Sequence, residues 1–356
     1  MPIGADGLGC DSLEALWLAS AVNEMFRLYE SGTETELTAA ETFGAWLDHI
    51  EAAWRSGIEQ VTFSTSGSTG GSKRCVQSFA HLRAEVDVLA AHWTGRQRVL
   101  ALAPAHHIYG FIFTGLLPDR LAVPVLDAQG LSPGRLADEV GTGDLIVSFP
   151  DRWAWLQRSL PDWPADIEGV VSTAPCPADL LAALRAGGLA RMTEVYGSSE
   201  TAGIAMRDAP GDPYRLMPQW RFDTTLSAET PELVHRLGQR YALMDGVSLV
   251  EADAFRLAGR RDGMVQVGGV NVSPEAVAIK LRGRPGVRDA AVRLMRPDEG
   301  PRLKAFVVPD GEIGPETLVA SLESWISDHL ATAEQPKSIV TGATLPVGPL
   351  GKSADW

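Results

Sequence analysis

The chain has 356 residues, of which 45% are hydrophobic and 21% charged, and a formal net charge of −14. That length allows a sizeable core and more than one domain. No block of lysines or arginines stands out, which argues against nucleic acid or an anionic membrane as the main partner.

No apolar run approaches a bilayer span, and the N-terminus lacks the basic region of a secretory signal. The three cysteines, Cys10, Cys75 and Cys176, suit neither a disulfide framework nor a metal site. Each is expected to act as a small buried hydrophobe in a reduced, cytoplasmic protein.

In chain order, residues 11–29 read as a helix with an apolar face of Leu13, Leu16, Trp17, Val22 and Phe26, capped by Asp11 or Ser12. A second helix fits Thr42 to Trp54. From Val61 short β-rich runs (VTFST, VLALAP, AVPVLD, LIVSFP, GVVST, MTEVYG) alternate with helical stretches at Phe79–Trp93, Trp153–Leu160 and Ala178–Ala186. Such alternation predicts an α/β fold with a largely parallel sheet, whose ligands gather at the carboxyl ends of the strands. After Arg260 the texture becomes that of a small α+β unit, with Gly259–Gly263 as the boundary.

Four stretches carry chemistry. Thr62–Arg74, TFSTSGSTGGSKR, follows a β run and combines glycines and hydroxyls with Lys73, as an anion-holding loop would; a surface linker is the bland alternative. EVYGSSETAG places Glu200 among hydroxyls, which suits Mg²⁺ as well as a solvated turn. PAHHIYGF sets two histidines and a tyrosine after a strand, without the partners zinc needs. LPVGPLGKSADW presents Lys352 four residues from the chain end, where a frayed tail is the usual fate.

In this order the stretches resemble the acyl-adenylate-forming superfamily, which includes acyl- and aryl-CoA synthetases, peptide-synthetase adenylation domains and firefly luciferase. Its phosphate loop is similar to Thr65-Ser66-Gly67-Ser68-Thr69-Gly70-Gly71-Ser72-Lys73, and its Y-G-x-[ST]-E to Tyr196-Gly197-Ser198-Ser199-Glu200. Asp245 stands fourteen residues before Gly259-Arg260, where the family has a ribose-binding Asp. Its hinge resembles Gly259–Glu275 and its closing motif Pro346–Lys352. Ser72 replaces a usual proline, Ser199 a threonine, and Gln266 a common lysine.

The resemblance implies a large domain with mostly parallel sheets flanked by helices, residues 61–261, and a small mobile α+β domain, 262–356, turning about Asp262. It implies that ATP and a carboxylate give acyl-AMP and pyrophosphate, and that the acyl group then passes to coenzyme A or a carrier-protein phosphopantetheine. Residues Thr65, Ser66, Gly67, Ser68, Thr69, Gly70 and Lys73 would hold the β/γ-phosphates, and Glu200 the Mg²⁺. Thr173, Ala174, Pro175 and Tyr196 would line the adenine pocket beside Gly197, Ser198 and Ser199. Asp245 would grip the ribose with Arg260 nearby, Lys352 would bridge carboxylate and α-phosphate, and His107 would lie near the acid's carboxylate.

The family's region before the phosphate loop is expected to be larger, so the chain reads as a short form that a homodimer could complete. Within residues 1–60, LGCDSLEALWLASAVNEMF resembles the middle of an acyl carrier protein, with Ser12 at the phosphopantetheine position; a capped helix or a relic are the other readings. HHIYGFIF, Trp153, Trp155 and STAPCP are expected to wall an aromatic-friendly acid pocket. The resemblance favours ligases of 4-coumarate or 4-hydroxybenzoate type. An o-succinylbenzoate or medium-chain fatty acid ligase is the alternative, and a non-catalytic nucleotide-binding or carrier-recruiting module the reading from another class.

Overall fold

A computed structural model describes residues 1–4, 6–66, 72–160, 162–224, 231–260, 263–296, 298–346 and 356; for Thr65, Ser66, Ser72, Gly259 and Arg260 it describes the backbone only. Three helices open the chain: α1 (Ser12–Phe26), α2 (Glu36–Ala39) and α3 (Phe43–Arg55). Asp11, not Ser12, caps α1: its carboxylate accepts from Leu13 N and Glu14 N, and Glu14 accepts from Asp11 N. This capping box accounts for the Asp-Ser-Leu pattern by helix geometry alone.

Only the Val22 and Phe26 end of the apolar face expected on α1 enters the core. Leu13, Leu16 and Trp17 are 68%, 53% and 79% exposed, whereas Ala19 is buried and Ala15, Val22 and Phe26 pack inward. The small residues win because α1 lies close over a compact core of Leu28, Leu37, Trp46 and Ile50. Trp54 meets Phe26 edge-on within this helical unit at 5.4 Å, and the unit is joined to the rest by the edge-on contact of Trp54 with Phe79 at 4.9 Å and by an Arg74–Glu24 ion pair.

Strands β1 (Gln60–Ser66) and β2 (Ser72–Ser78) form a separate antiparallel hairpin. The two ends of the Thr65–Lys73 motif therefore pair antiparallel, Thr65 opposite Lys73 and Ser66 opposite Ser72, and do not follow a parallel strand. The connection is too short to return the chain any other way. Helix α4 (Phe79–His92) follows without a break; Ser78 ends β2 and caps α4, its Oγ accepting from His81 N.

Among the described residues the main sheet has nine strands. In chain order they are β3 (Arg98–Ala101), β4 (Val125–Asp127), β5 (Asp144–Ser148), β6 (Glu168–Val171), β7 (Arg191–Ser198), β8 (Ala202–Arg207) and β9 (Tyr214–Leu216). After a small antiparallel sheet of β10 (Trp220–Asp223), β11 (Glu232–His235) and β12 (Arg240–Ala242), β13 (Asp245–Glu251) and β14 (Ala254–Arg260) complete it. Strands β4, β3, β5, β6 and β7 are parallel, as the strand–helix alternation predicts. Beyond β7 the sheet turns antiparallel through β8, β9, β14 and β13, because tight turns replace helical crossovers.

Both faces of the parallel half are covered, as alternation along a strand requires. Val99, Leu145, Val147 and Val170 join one core with α4, while Leu100, Ile146, Val171 and Met192 join the other. Trp153 belongs to this second core. It is fully buried, its Nε1 donates to Val170 O at 3.1 Å, and its ring lies against Gly169, where a Cβ would stand 2.7 Å away. It is a packing residue and walls no pocket.

The C-terminal part contains the hairpin of β15 (Val265–Val267) and β16 (Val270–Val272), then β17 (Val287–Leu294), β18 (Leu303–Pro309) and β19 (Pro336–Thr341) in one sheet. Helices Pro274–Arg282 and Pro315–His329 pack on it around Leu281, Leu303, Leu318 and Leu322.

Candidate active site

The carboxyl ends of β6 and β7 lie side by side where the sheet changes from parallel to antiparallel. Thr173 follows β6, and Tyr196 and Gly197 lie near the end of β7. The three-residue turn Ser199–Thr201 joins β7 to β8 and carries Glu200 outward. Ser198 Oγ organises the turn by accepting from Glu200 N and Thr201 N, both at 3.2 Å.

Among the described residues five hold φ in the left-handed region without being glycine, and two of them lie here, Thr173 at 76° and Ala202 at 56°. For a β-branched residue this costs of the order of 1–2 kcal/mol and persists only where surrounding contacts enforce it. At Thr173 the enforcing contact comes from the C-terminal part. Gln266 Nε2 donates to Thr173 O at 2.7 Å, and a Cβ on Gly269 would stand 3.5 Å from Thr173 Oγ1.

Lys73, on β2, meets Glu200 at 2.5 Å across the gap between hairpin and sheet. Glu200's hydrogen bond raises the Lys73 pKa, with its charge adding to the effect. Burial pushes the Glu200 carboxyl up, but hydrogen bonds from Lys73, the turn backbone and Ser198 outweigh it, leaving the group below its ordinary value. Both side chains are substantially exposed, so the pair contributes at most about 1 kcal/mol.

Tyr196 OH donates to Asp245 Oδ2 at 2.6 Å. Asp245 opens β13, in register with Arg260 of β14, so the sheet brings both positions to the Tyr196 end of β7. The rings of Tyr214 and Phe255 back Tyr196 at 5.5 and 5.7 Å. Beneath, Glu194 is buried between Arg207 at 2.8 Å and Tyr214 OH at 2.7 Å.

His107 caps the helix Ile108–Phe111; burial and then the neighbouring His106 lower its pKa, favouring a neutral imidazole. Tyr109 turns inward, its hydroxyl shared between Ser148 O and Val170 O, so it tethers this loop to β5 and β6. Phe111 packs edge-on against Phe63 of the hairpin at 5.4 Å.

The structure therefore pairs Lys73 with Glu200 and Tyr196 with Asp245, sets Thr173 after the strand next to β7, and has Gly197 and Ser198 at the end of β7 and Ser199 in the turn that follows. Gly67, Ser68, Thr69, Gly70, Asp262 and Lys352 lie outside the described residues, as do the side chains of Thr65, Ser66 and Arg260. Among the described residues no group of three or more His, Cys, Asp or Glu could enclose a metal. One exposed carboxylate among hydroxyls fits a hard cation that keeps waters and shares phosphate oxygens. The described residues also hold no helix long and apolar enough to cross a membrane.

The hairpin that carries Lys73 thus faces the turn that carries Glu200, beside the Tyr196–Asp245 pair, an arrangement compatible with a nucleotide-using enzyme of the adenylating class. A family model described as AMP-binding enzyme matches residues 61–221. The 4-coumarate–CoA ligase of Halorhodospira halophila is 39% identical over 98% of this chain and 89% of its own length. That of Cereibacter sphaeroides is 38% identical over 99% and 85%. Among solved structures, o-succinylbenzoate CoA synthetase from Bacillus subtilis aligns with a TM-score of 0.64 at 19% identity, covering 82% of this chain and 67% of that one. An amide bond synthetase from Marinactinospora thermotolerans gives 0.61 at 21%, covering 82% and 67%. These two show the fold alone.

The chain belongs to the acyl-adenylate-forming, AMP-binding enzyme family. Within it, it is an AMP-forming acid–CoA ligase that uses ATP, Mg²⁺ and coenzyme A.

Proposed function

We propose that the acid is a hydroxylated arylacrylic acid of the 4-coumarate type. The observation that carries this reading is similarity of 36–39% over nearly the whole chain to three 4-coumarate–CoA ligases. Two probable 2-succinylbenzoate–CoA ligases match at only 26% over 82% of the chain. His107, whose lowered pKa favours the uncharged imidazole, and the half-buried Phe111 near it suit a planar aromatic acid.

In this reading Lys73 and the hairpin tip hold the β- and γ-phosphates, and Glu200 holds Mg²⁺, which would neutralise charge on the phosphate oxygens. Thr173–Pro175 and Tyr196 flank the adenine. Asp245, oriented by Tyr196, grips the ribose with Arg260. Lys352 stabilises the charge that develops between the acid's carboxylate and the α-phosphate. These groups align and neutralise; the attacking oxygen is the substrate's own.

The chain divides into a helical unit (1–60), a nucleotide-binding core (61–261) and a C-terminal unit (262–356) that turns at Asp262 between the two half-reactions. The contacts of Gln266 and Gly269 with Thr173 support assigning the present arrangement to thioester formation. The three free thiols suit a cytoplasmic setting. Incubation with ATP, Mg²⁺, coenzyme A and 4-coumarate is expected to give the coumaroyl thioester by mass; a preference for a fatty acid would contradict the assigned acid.

A further inference from the structure

Three buried polar side chains downstream of the phosphate hairpin reach backbone groups in and beside the Glu200 turn. Gln77, near the end of β2, donates from Nε2 to Ser199 O at 2.7 Å and Glu200 O at 2.9 Å. In α4, His81 Nε2 lies 3.0 Å from Thr201 O; a carbonyl only accepts, so the proton is on Nε2. One helical turn further, Glu85 Oε2 accepts from Gly203 N at 2.9 Å. The three residues are 2%, 2% and 1% exposed.

Burying such groups is costly unless they are hydrogen-bonded, and each spends a bond on residues 199–203. The fit is close. A Cβ on Gly203 would stand 2.3 Å from Glu85 Oε1 and 3.1 Å from Met217 Cε, so any larger residue here would push the Glu85 carboxyl out of place. Trp220 Nε1 holds Gly203 O at 2.8 Å from the other side. The His81 ring stacks on His235 at 4.1 Å, which fixes its plane.

Because β2 runs directly into α4, Lys73, Gln77, His81 and Glu85 belong to one continuous stretch of regular structure. The exposed Lys73–Glu200 pair is too weak to set the distance between hairpin and turn, and it must rearrange when metal and triphosphate enter. The buried bonds need not. We propose that Gln77, His81 and Glu85 are positioning residues, a polar ladder that holds the Glu200 carboxylate at the level of the phosphate hairpin and so preorganises the metal–triphosphate site. This rests on the reading of Glu200 as the Mg²⁺ ligand.

The test is calorimetric binding of Mg²⁺·ATP, compared with ATP in EDTA, to the full chain and to Gln77→Met, His81→Leu, His81→Gln and Glu200→Gln. Circular dichroism and thermal melting of each variant accompany it. Gln77→Met and His81→Leu are expected to weaken Mg²⁺·ATP about tenfold, as for a dry carbonyl left without its donor, while metal-free ATP binding changes less than twofold. His81→Gln keeps a donor at the same reach and is expected to bind like the parent. Folded Gln77→Met and His81→Leu variants with parental Mg²⁺·ATP affinity, while Glu200→Gln weakens it, would overturn the ladder and leave Glu200's role standing. Parental affinity in Glu200→Gln would overturn the underlying reading. Should His81→Leu not fold, Gln77→Met and the His81→Gln rescue decide; equal loss in His81→Gln and His81→Leu would reduce His81 to a packing role.

Discussion

Glu85 shows how one buried group ties stability to pH. Burial pushes its carboxyl from 4.5 up to about 7, with the Gly203 N–H opposing. Between those values the native chain keeps a proton that the unfolded chain has lost, so its contribution is complete below 4.5 and is lost as pH rises to 7. Above that, the ionised form costs the fold about 3 kcal/mol relative to the acid. Glu85→Gln is therefore expected to gain stability over the parent as pH rises from 4.5 to 8, read as the difference between urea denaturation curves. His235, lowered to about 4 by burial and His81, works in the opposite sense but cancels in this difference. A constant difference across pH would contradict the assignment. At Tyr196, replacement by Phe removes the hydroxyl that orients Asp245, and ATP affinity is expected to fall about tenfold by calorimetry.

At the scale of elements, the two faces of α1 differ in what they contribute. Replacing Leu13, Leu16 and Trp17 by serine is expected to change stability by no more than about 0.5 kcal/mol per site, because these side chains are exposed. Ala19→Asp, which buries a charge against Leu28 and Trp46, is expected to unfold the helical unit; melting curves separate the two cases. The sequence misled here because Leu-Trp-Leu spacing marks an apolar stripe without saying which stripe faces the core. The parallel strands were readable, since fully buried strands are continuous apolar runs flanked by helical patterns. The antiparallel half was not, because its short strands are half-exposed and their pairing depends on distant partners. The proposed ladder left a faint signal, a histidine and a glutamate one turn apart among the apolar residues Leu82, Val86 and Leu89 of α4.

Over the whole molecule, the motif order pointed to the family, and the fold brings distant motifs together. Residues separated by more than a hundred positions, such as Lys73 and Glu200, meet because the hairpin docks on the β7–β8 turn. Tyr196 and Asp245 meet because β13 and β14 extend the same sheet. Contacts such as Gln266 with Thr173 could not be read from spacing, since they depend on how the C-terminal part is seated. Lys352→Ala is expected to slow adenylation about 10²–10³-fold while sparing thioester formation from supplied acyl-AMP; equal loss in both steps would contradict the division of labour.

The central claim is tested most directly by acid-dependent exchange of labelled pyrophosphate into ATP, run with Mg²⁺ over hydroxylated arylacrylic, benzoic and fatty acids. The expected result is exchange that requires the acid, is fastest with 4-coumarate, and falls with Glu200→Gln. Exchange with no acid in the panel, or exchange indifferent to the aromatic ring, would contradict it.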